Sequence, residues 1–453
     1  MEQYVCRPLG RNGRYEVTVP GSKSITNRAL LLGALARGTT RLNGVLFSED
    51  SRVFMRALQD IGFLTEIEEK RRQVVIQGCG GEIPRLDESK GEKERRIYVG
   101  SAGTAARFLT AMLALSGQCF LVESSEQMKG RPMEPLLRAL EELGTQFEFL
   151  ENPYAFPFRI CGRQKKESSY VSLNIDASSQ FLSALLLSGV MCPDGLTIRL
   201  TGKRDARAYV GISMQMMRAF GCETEQLDEN TYRVLPGQIY NGREYQIEPD
   251  VSAACYFYGI AAVTGSRMKV RHVHRDTTQG DIRFVDVLER MGCQSEEEAD
   301  GIAVTGPAEE PLHGISVNMS DFSDQTMTLA AIAPFAEGDT VITGVGHIRK
   351  QESDRIRGIV TELGRMGIRC EERDDGLTIH PGRVRPAVIQ TYEDHRMAMA
   401  FSIVGCQAEG IRIDNPSCCK KTFESYFNIL TNLDLTDKEA EKPEGGCWNG
   451  GLR

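Results

Sequence analysis

Thirteen cysteines are scattered along this 453-residue chain, yet none stands in a CxxC pair or with histidine at metal-ligand spacing. No metal centre or dithiol motif is therefore expected. The adjacent Cys418 and Cys419 are poorly placed to bond to each other, and singly spread thiols fit a reducing cytosol. No apolar run approaches the roughly 20 residues that span a membrane. The opening MEQYVCRPLGRNG has neither the apolar core of a signal peptide nor the character of a transit peptide, so a soluble, cytoplasmic protein is expected. Positive charge is also in deficit: the formal net charge is −8, which argues against a nucleic-acid partner. Any anionic ligand must then be captured by basic side chains gathered locally. The GxxxxGK[ST] phosphate loop is absent as well.

What the chain does have is a repeat. With 41% hydrophobic residues it is too long for one core and suits two domains. Apolar-Gly pairs that read as helix ends, Ile61-Gly62, Leu143-Gly144, Phe220-Gly221, Met291-Gly292 and Met366-Gly367, recur about every 70 to 80 residues. An amphipathic helix precedes each, over 51–60, 134–142, 211–219, 282–290 and 356–365, with a shorter sixth copy over 423–433. Upstream of each lies a more apolar helix opened by polar or small residues: Ser22-Lys23-Ser24, Ser101 to Thr104, Ser178-Ser179-Gln180, Asp250-Val251-Ser252, Asp324-Gln325-Thr326 and Asp394-His395-Arg396. The plan is a βαβαββ unit in six copies. One unit cannot bury its own apolar helix, so several must pack together. Three copies per domain put the first domain at 21–247 and the second at 1–20 with 248–434, leaving a cleft between them and a disordered tail over 435–453. Helix heads pointing into that cleft would focus their dipoles on one place, although repetition by itself is equally the mark of a purely structural repeat protein.

The stretch VTVPGSKSITNRALLLGALARG packs most into the fewest residues. Val17 and Val19 alternate as in a strand, Pro20-Gly21 breaks the chain, and Ser22 caps a helix that begins at Lys23. Unpaired backbone N–H groups there favour an anion, and Ser24 and Arg28 share the same face one turn apart. A capped helix with a solvated lysine is the competing reading. Lys23, Arg28, Arg107, Arg131, Arg349, Lys350, Arg355, Arg396, Lys420 and Lys421 all fall near predicted helix heads, and Pro132 fixes the chain beside Arg131. Asp324 and Asp354 are good N-caps. Glu352, flanked by cations, is either a salt-bridged surface residue or an acid/base group tuned by charge and burial. His395 reads as a helix-head hydrogen-bonding residue.

Read together, PGSKSITNRALLLGALA, SAGTAARFL, GRPMEPLLRAL, DASSQFLSALLL, QGDIRFVDVL, QESDRI, EDHRMAMAFSIV and KKTFESYF resemble, in this order and over about residues 15–430, the EPSP synthase (3-phosphoshikimate 1-carboxyvinyltransferase) family. The resemblance implies an α/β fold, an inside-out barrel in each of two domains built from threefold βαβαββ units. It implies transfer of the enolpyruvyl group of phosphoenolpyruvate (PEP) to the 5-hydroxyl of shikimate 3-phosphate by addition and elimination, in aromatic amino acid biosynthesis. It further implies no cofactor, a monomer, and a PEP site open to glyphosate. On the matching positions, PEP would be held by Lys23, Gly103, Arg131, Gln180, Arg355, Arg396 and Lys421. Shikimate 3-phosphate would be held by Lys23, Ser24, Arg28, Ser178, Ser179, Gln180, Tyr209, Asp324, His347 and Gln351. Asp324 would accept the hydroxyl proton, and Glu352 would exchange protons with the PEP methylene.

The chain departs from the family pattern at Ser101 (usually Asn), Ala206 (Ser), His347 (Asn) and Gln351 (Lys). These departures bear on the acceptor half, where weaker binding is expected unless Lys350 compensates. A related transferase acting on UDP-N-acetylglucosamine carries a cysteine in the loop before its Arg-Pro, which SSEQMKGRP lacks. Two more readings compete, a paralogue with an altered acceptor and a noncatalytic metabolite binder; retention of Asp324 and Glu352 argues against the second of them.

Overall fold

The computed structural model describes residues 2–85, 94–164, 169–202 and 207–440, side chains excepted at 207–209 and 434–440. Six apolar helices run through its interior: Lys23–Leu35, Gly103–Leu115, Gln180–Ser188, Val251–Thr264, Thr326–Ile332 and His395–Gln407. In Lys23–Leu35 every residue from Ile25 to Leu35 is buried, and in Gly103–Leu115 every residue is. Such helices are covered on all sides by other elements rather than facing water. Their amphipathic companions are Glu49–Ile61, Glu134–Glu142, Arg207–Ala219, Arg283–Arg290, Arg355–Arg365 and Tyr426–Ala440. The five glycines that close the expected helices adopt φ between +80° and +105°, a left-handed turn that explains why glycine recurs at those places.

Sheets alternate with the helices. In the chain's first half, Arg95–Tyr98 runs parallel to Cys119–Glu123, which is antiparallel to Phe158–Arg163 and then Thr145–Phe149. The same parallel, antiparallel, antiparallel order joins Tyr170–Asn174, Leu196–Thr201, Thr231–Val234 and Thr224–Asp228. It recurs in Ser316–Asn318, Thr340–Thr343, Gly376–Ile379 and Cys370–Arg373. Two further sheets exchange a strand. Glu244–Gln246 completes the sheet of Arg37–Asn43, whereas Arg14–Val17 pairs in parallel with Arg267–Arg271, more than 200 residues away in the chain. The last sheet, Ala387–Ile389 with Ile411–Asp414, is closed by the N-terminal strand Gln3–Val5.

Two buried apolar clusters result. One contains residues from Ile25 to Ile247; the other joins Cys6 to Val19 with Val251 to Leu433. The chain passes between them twice, and the two passages touch. Gly21 bridges Pro249 in antiparallel fashion, Ser22 N–H donates to the Glu248 carbonyl at 2.8 Å, and Asp250 N–H donates to the Pro20 carbonyl at 2.8 Å. The final helix corrects one expectation. Composition predicts disorder from residue 435, but the helix continues to Ala440, because Asp437-Lys438-Glu439-Ala440 are compatible with a helix and proline is not met until Pro443. Residues 441–453 lie outside the described residues.

The crossing is tight at Gly21, where a Cβ would stand 2.1 Å from the Gly44 carbonyl oxygen. Gly21→Ala is expected to destabilise the protein by about 1–3 kcal/mol through this backbone clash, measured by urea unfolding. An unchanged midpoint would mean that the passage is slack.

Candidate active site

Helix heads define the site. The opening residues of all six apolar helices line two adjoining cavities, with about 800 Å³ and 570 Å³ of open space, which share Lys23, Ser24, Asp324 and Arg396. Ser22 caps the first helix by accepting from Ile25 N–H, which leaves Lys23 at its first turn. Asp250 caps the fourth and also accepts from the Lys23 backbone N–H at 3.1 Å. One carboxylate thus ties together two heads from opposite sides of the chain crossing.

Seven cationic side chains, Lys23, Arg28, Arg107, Arg131, Lys350, Arg355 and Arg396, line the larger cavity beside only two carboxylates, Asp324 and Glu352. In a chain of net charge −8 this is a strongly positive pocket, suited to small polyanions. Arg28 is buried and held by Ser24 O at 2.9 Å, Ser213 Oγ at 2.9 Å and Ser183 Oγ at 3.1 Å. Arg107 donates to Gln180 Oε1 at 2.6 Å and to the Pro132 carbonyl at 3.0 Å. Burial, together with the charge of Arg131, lowers its pKa well below the usual guanidinium value. Arg131 reaches the Ser101 carbonyl at 3.3 Å. Its guanidinium lies over Gly103, where a Cβ would come within 2.8 Å of both terminal nitrogens. Glycine at 103 is therefore what lets Arg131 face the cavity.

On the other wall Arg355 is the organising cation. Its Nε donates to Asp394 Oδ2 at 2.8 Å and its Nη1 to Asp324 Oδ1 at 3.1 Å. Arg396 Nη2 takes the second oxygen of Asp324 at 2.7 Å. Asp324 thus bridges two guanidinium groups, a position that an anionic ligand can contest. Gln351 turns its amide oxygen to Arg355 Nη1.

Glu352 is buried among cations. His395 Nδ1 lies 3.0 Å from one carboxylate oxygen, Lys421 Nζ 3.6 Å from the other, and Arg355 Nη2 at 3.8 Å. None of these contacts has hydrogen-bond alignment, since Glu352 Oε2, both His395 ring nitrogens and Lys421 Nζ have no hydrogen-bond partner. Burial pushes the Glu352 pKa up, but His395, Lys421 and Lys23 outweigh it and hold it well below the ordinary carboxylate value. His395 is itself lowered, first by burial and only partly offset by Glu352. The ionised Glu352 carboxylate is thus set among His395, Lys421 and Lys23, with His395 the strongest of the three influences. Glu352, Asp394 and His395 also place their ligand atoms within 4.8 Å of one another. However, Asp394 is committed to Arg355, Ser353 and the Arg396 N–H, and a dication there would face Lys421 and Arg355 at short range.

Of the residues expected in the site, Lys23, Ser24, Arg28, Arg131, Ser178, Ser179, Gln180, Asp324, Gln351, Glu352, Arg355 and Arg396 share the larger cavity. Gly103 lies against Arg131 and Lys421 against Glu352. His347 stands outside the lining, its Nε2 2.8 Å from Ser323 Oγ. The side chain of Tyr209 and residue Ala206 lie outside the described residues. Arg107, a helix-head cation with no expected site role, also lines this cavity, and an arginine inside so apolar a helix is itself a signal. Asp281, in the motif QGDIRFVDVL, is not among the expected site residues and lines the smaller cavity with Tyr256 and Gln279.

A cavity lined by forked cations, with one ionised carboxylate buried among cations and another shared by two arginines, has the chemistry to hold small phosphorylated or carboxylated molecules and to transfer protons. A family model described as EPSP synthase (3-phosphoshikimate 1-carboxyvinyltransferase) matches residues 11–430. The chain is 43% identical over 427 residues to the 3-phosphoshikimate 1-carboxyvinyltransferase of Nostoc sp., covering 94% of this chain and 98% of that one. The EPSP synthase of Acinetobacter baumannii superposes with a TM-score of 0.78 at 27% identity, covering 95% of this chain and 98% of that chain. The enolpyruvyl transferase NikO of Streptomyces tendae, at 16% identity, superposes with a TM-score of 0.73 over 95% of this chain and 96% of that one, a likeness of fold alone. The chain belongs to the EPSP synthase family.

The smaller cavity supplies a pH signature. Asp281, buried, accepts from Gln325 Nε2 at 3.1 Å and from the Ser252 hydroxyl, and burial followed by the charge of Asp324 raises its pKa from 3.8 to about 6. Folded protein keeps this proton longer than unfolded chain does, so the contribution is complete below pH 3.8 and lost as pH rises through 6. Asp281→Asn, which does not titrate, is expected to gain about 2–3 kcal/mol relative to the parent protein between pH 4 and pH 7. Urea unfolding at the two pH values measures this, and an equal difference at both would show that Asp281 is ionised throughout.

Proposed function

We propose that this enzyme transfers the enolpyruvyl group of PEP to the 5-hydroxyl of shikimate 3-phosphate, releasing phosphate. The observation that carries the reading is the pairing of Glu352 and Asp324 across one cation-lined cavity, in a chain with 43% identity to a 3-phosphoshikimate 1-carboxyvinyltransferase. PEP takes Lys23, Arg131, Arg355, Arg396 and Lys421, with Gln180 and the Gly103 backbone beside it. The acceptor takes Ser24, Arg28, Ser178, Ser179, Gln180 and Asp324, and Lys23 serves both. As the PEP phosphate and carboxylate occupy Lys421, Lys23 and the arginines, the field holding Glu352 ionised weakens and it takes up a proton. Glu352 then protonates the PEP methylene, and the acceptor oxygen adds to the carbon bearing phosphate while Asp324 accepts its proton. Glu352 next removes a proton from the new methyl as the carbon–oxygen bond to phosphate breaks, restoring the double bond. Fixed cations around both developing charges lower the barrier without reorganising at the moment of reaction.

The architecture read into this is two inside-out barrels of three βαβαββ units each, residues 21–247 and residues 1–20 with 248–434, meeting at the cleft. The strand exchange and the two apolar clusters support it. A soluble, cytoplasmic monomer without nucleic-acid partner or cofactor completes the reading. No helix among the described residues is long and apolar enough to cross a membrane.

Phosphate release with both substrates tests the reaction. Glu352→Gln keeps shape and removes the proton carrier, so turnover is expected to fall by about 10²- to 10⁴-fold with substrate affinities retained. Near-normal turnover in that variant would reject Glu352 as the acid/base.

Gln351 bears on the acceptor. Gln351 and Lys350 both line the cavity, but the Gln351 amide oxygen is taken by Arg355. Lys350 then supplies the acceptor-side charge, and Lys350→Ala is expected to weaken shikimate 3-phosphate about tenfold or more. Gln351→Lys sets a second cation against Arg355 and brings no such gain. Should neither substitution move the acceptor affinity and shikimate 3-phosphate fail to turn over, a paralogue with another acceptor becomes the better reading.

A further inference from the structure

Arg396 enters the cavity, with Asp394 buried behind it, from an unusual turn. Tyr392 and Glu393, immediately before them, both have φ of +55°, a left-handed conformation that side chains other than glycine rarely adopt. Two such residues in succession do not hold this shape unaided. Asp394, next in line, closes the turn with its N–H on the Thr391 carbonyl at 2.8 Å, and its carboxylate takes Arg355 Nε.

A second hold comes from the same helix, two turns beyond Arg355. The Glu362 side chain is fully buried. Its Oε2 accepts from the Gln390 backbone N–H at 3.0 Å and its Oε1 from the Tyr392 hydroxyl at 2.5 Å, with Arg365 Nε 3.2 Å away at the surface. Tyr392 itself is 41% exposed, so this hydrogen bond, more than burial of the ring, holds the residue in place. Its hydroxyl stays a donor across the working pH range, since burial and Glu362 push its pKa up to about 12. A carboxylate fully removed from water is costly, and what this one holds is the lead-in to the helix that carries Arg396. Helix Arg355–Arg365 therefore grips that lead-in at both ends, through Arg355 on Asp394 and through Glu362 on residues 390 and 392. The two guanidinium groups so aligned, those of Arg355 and Arg396, already meet on the two oxygens of Asp324.

We propose that Glu362 and Tyr392 are positioning residues for the PEP half of the site: they pin the left-handed turn to helix Arg355–Arg365, so that Arg355 and Arg396 present their guanidinium groups to one anion. The proposal rests on the reading of these arginines as PEP ligands. Tyr392→Phe removes one hydroxyl and keeps the ring, which spares the fold. The KM for PEP is expected to rise about threefold to tenfold, part of the worth of one hydrogen bond to a charged group because the turn keeps its other holds, with the KM for shikimate 3-phosphate within about twofold. Glu393→Gly in the Tyr392→Phe background relieves the left-handed strain and is expected to restore at least half of the loss, a rescue that damaged packing would not give. The proposal falls if the KM for PEP is unchanged, if both KM values rise together with a lowered Tm, or if Glu393→Gly brings no recovery. Calorimetric titration of PEP alone into the parent protein and the Tyr392→Phe variant separates the two readings. If the parent turns nothing over, the assigned reaction falls, while weaker PEP binding by Tyr392→Phe still supports the positioning role and equal binding overturns it.

Discussion

Repulsion between like charges is the constraint that the rest of this structure answers to. Seven cations share one cavity with two carboxylates, and no water-exposed surface would assemble them unaided. Four of them are fixed by something behind: serine hydroxyls and a helix carbonyl for Arg28, Gln180 and a carbonyl for Arg107, Asp50 at 3.2 Å for Lys23, and Asp394 for Arg355. The buried helices provide rigid posts from which these groups project. The chain crossing at Gly21 and Pro249 brings the posts of both halves to one place. Binding energy for a polyanion is thus stored in the free protein as unrelieved charge, which makes the site preorganised for its ligands.

Much of this was legible in the sequence because helix ends and heads are local. The left-handed glycines after Ile61, Leu143, Phe220, Met291 and Met366 marked the period, and the polar residues opening each apolar helix marked the site. What was illegible depends on pairs distant in sequence. Nothing in the order of residues says that Gly103 makes room for Arg131, that His395 stands against Glu352, or that Asp281 lies beside Asp324. The departure at Gln351 shows the same limit: Gln351 and Lys350 both line the cavity, and only the fold shows that the Gln351 amide oxygen is taken by Arg355.

The tail shows a different limit. Charge, glycine and proline content placed disorder from 435, yet the helix runs on to Ala440. Composition averaged over a window hides the point where helix-compatible residues give way to breakers.

The strand exchange also orders events in time. Arg14–Val17 pairs with Arg267–Arg271, so a segment among the first to leave the ribosome waits for a partner synthesised some 250 residues later. At about 5–20 residues per second that is a delay of tens of seconds. The cluster from Ile25 to Ile247 acquires its last strand, Glu244–Gln246, before the N-terminal strand finds its own. Folding during synthesis therefore completes the inner segment first. The second half then assembles around a strand held in reserve, and the site is complete only once the helix His395–Gln407, which carries Arg396, has been made.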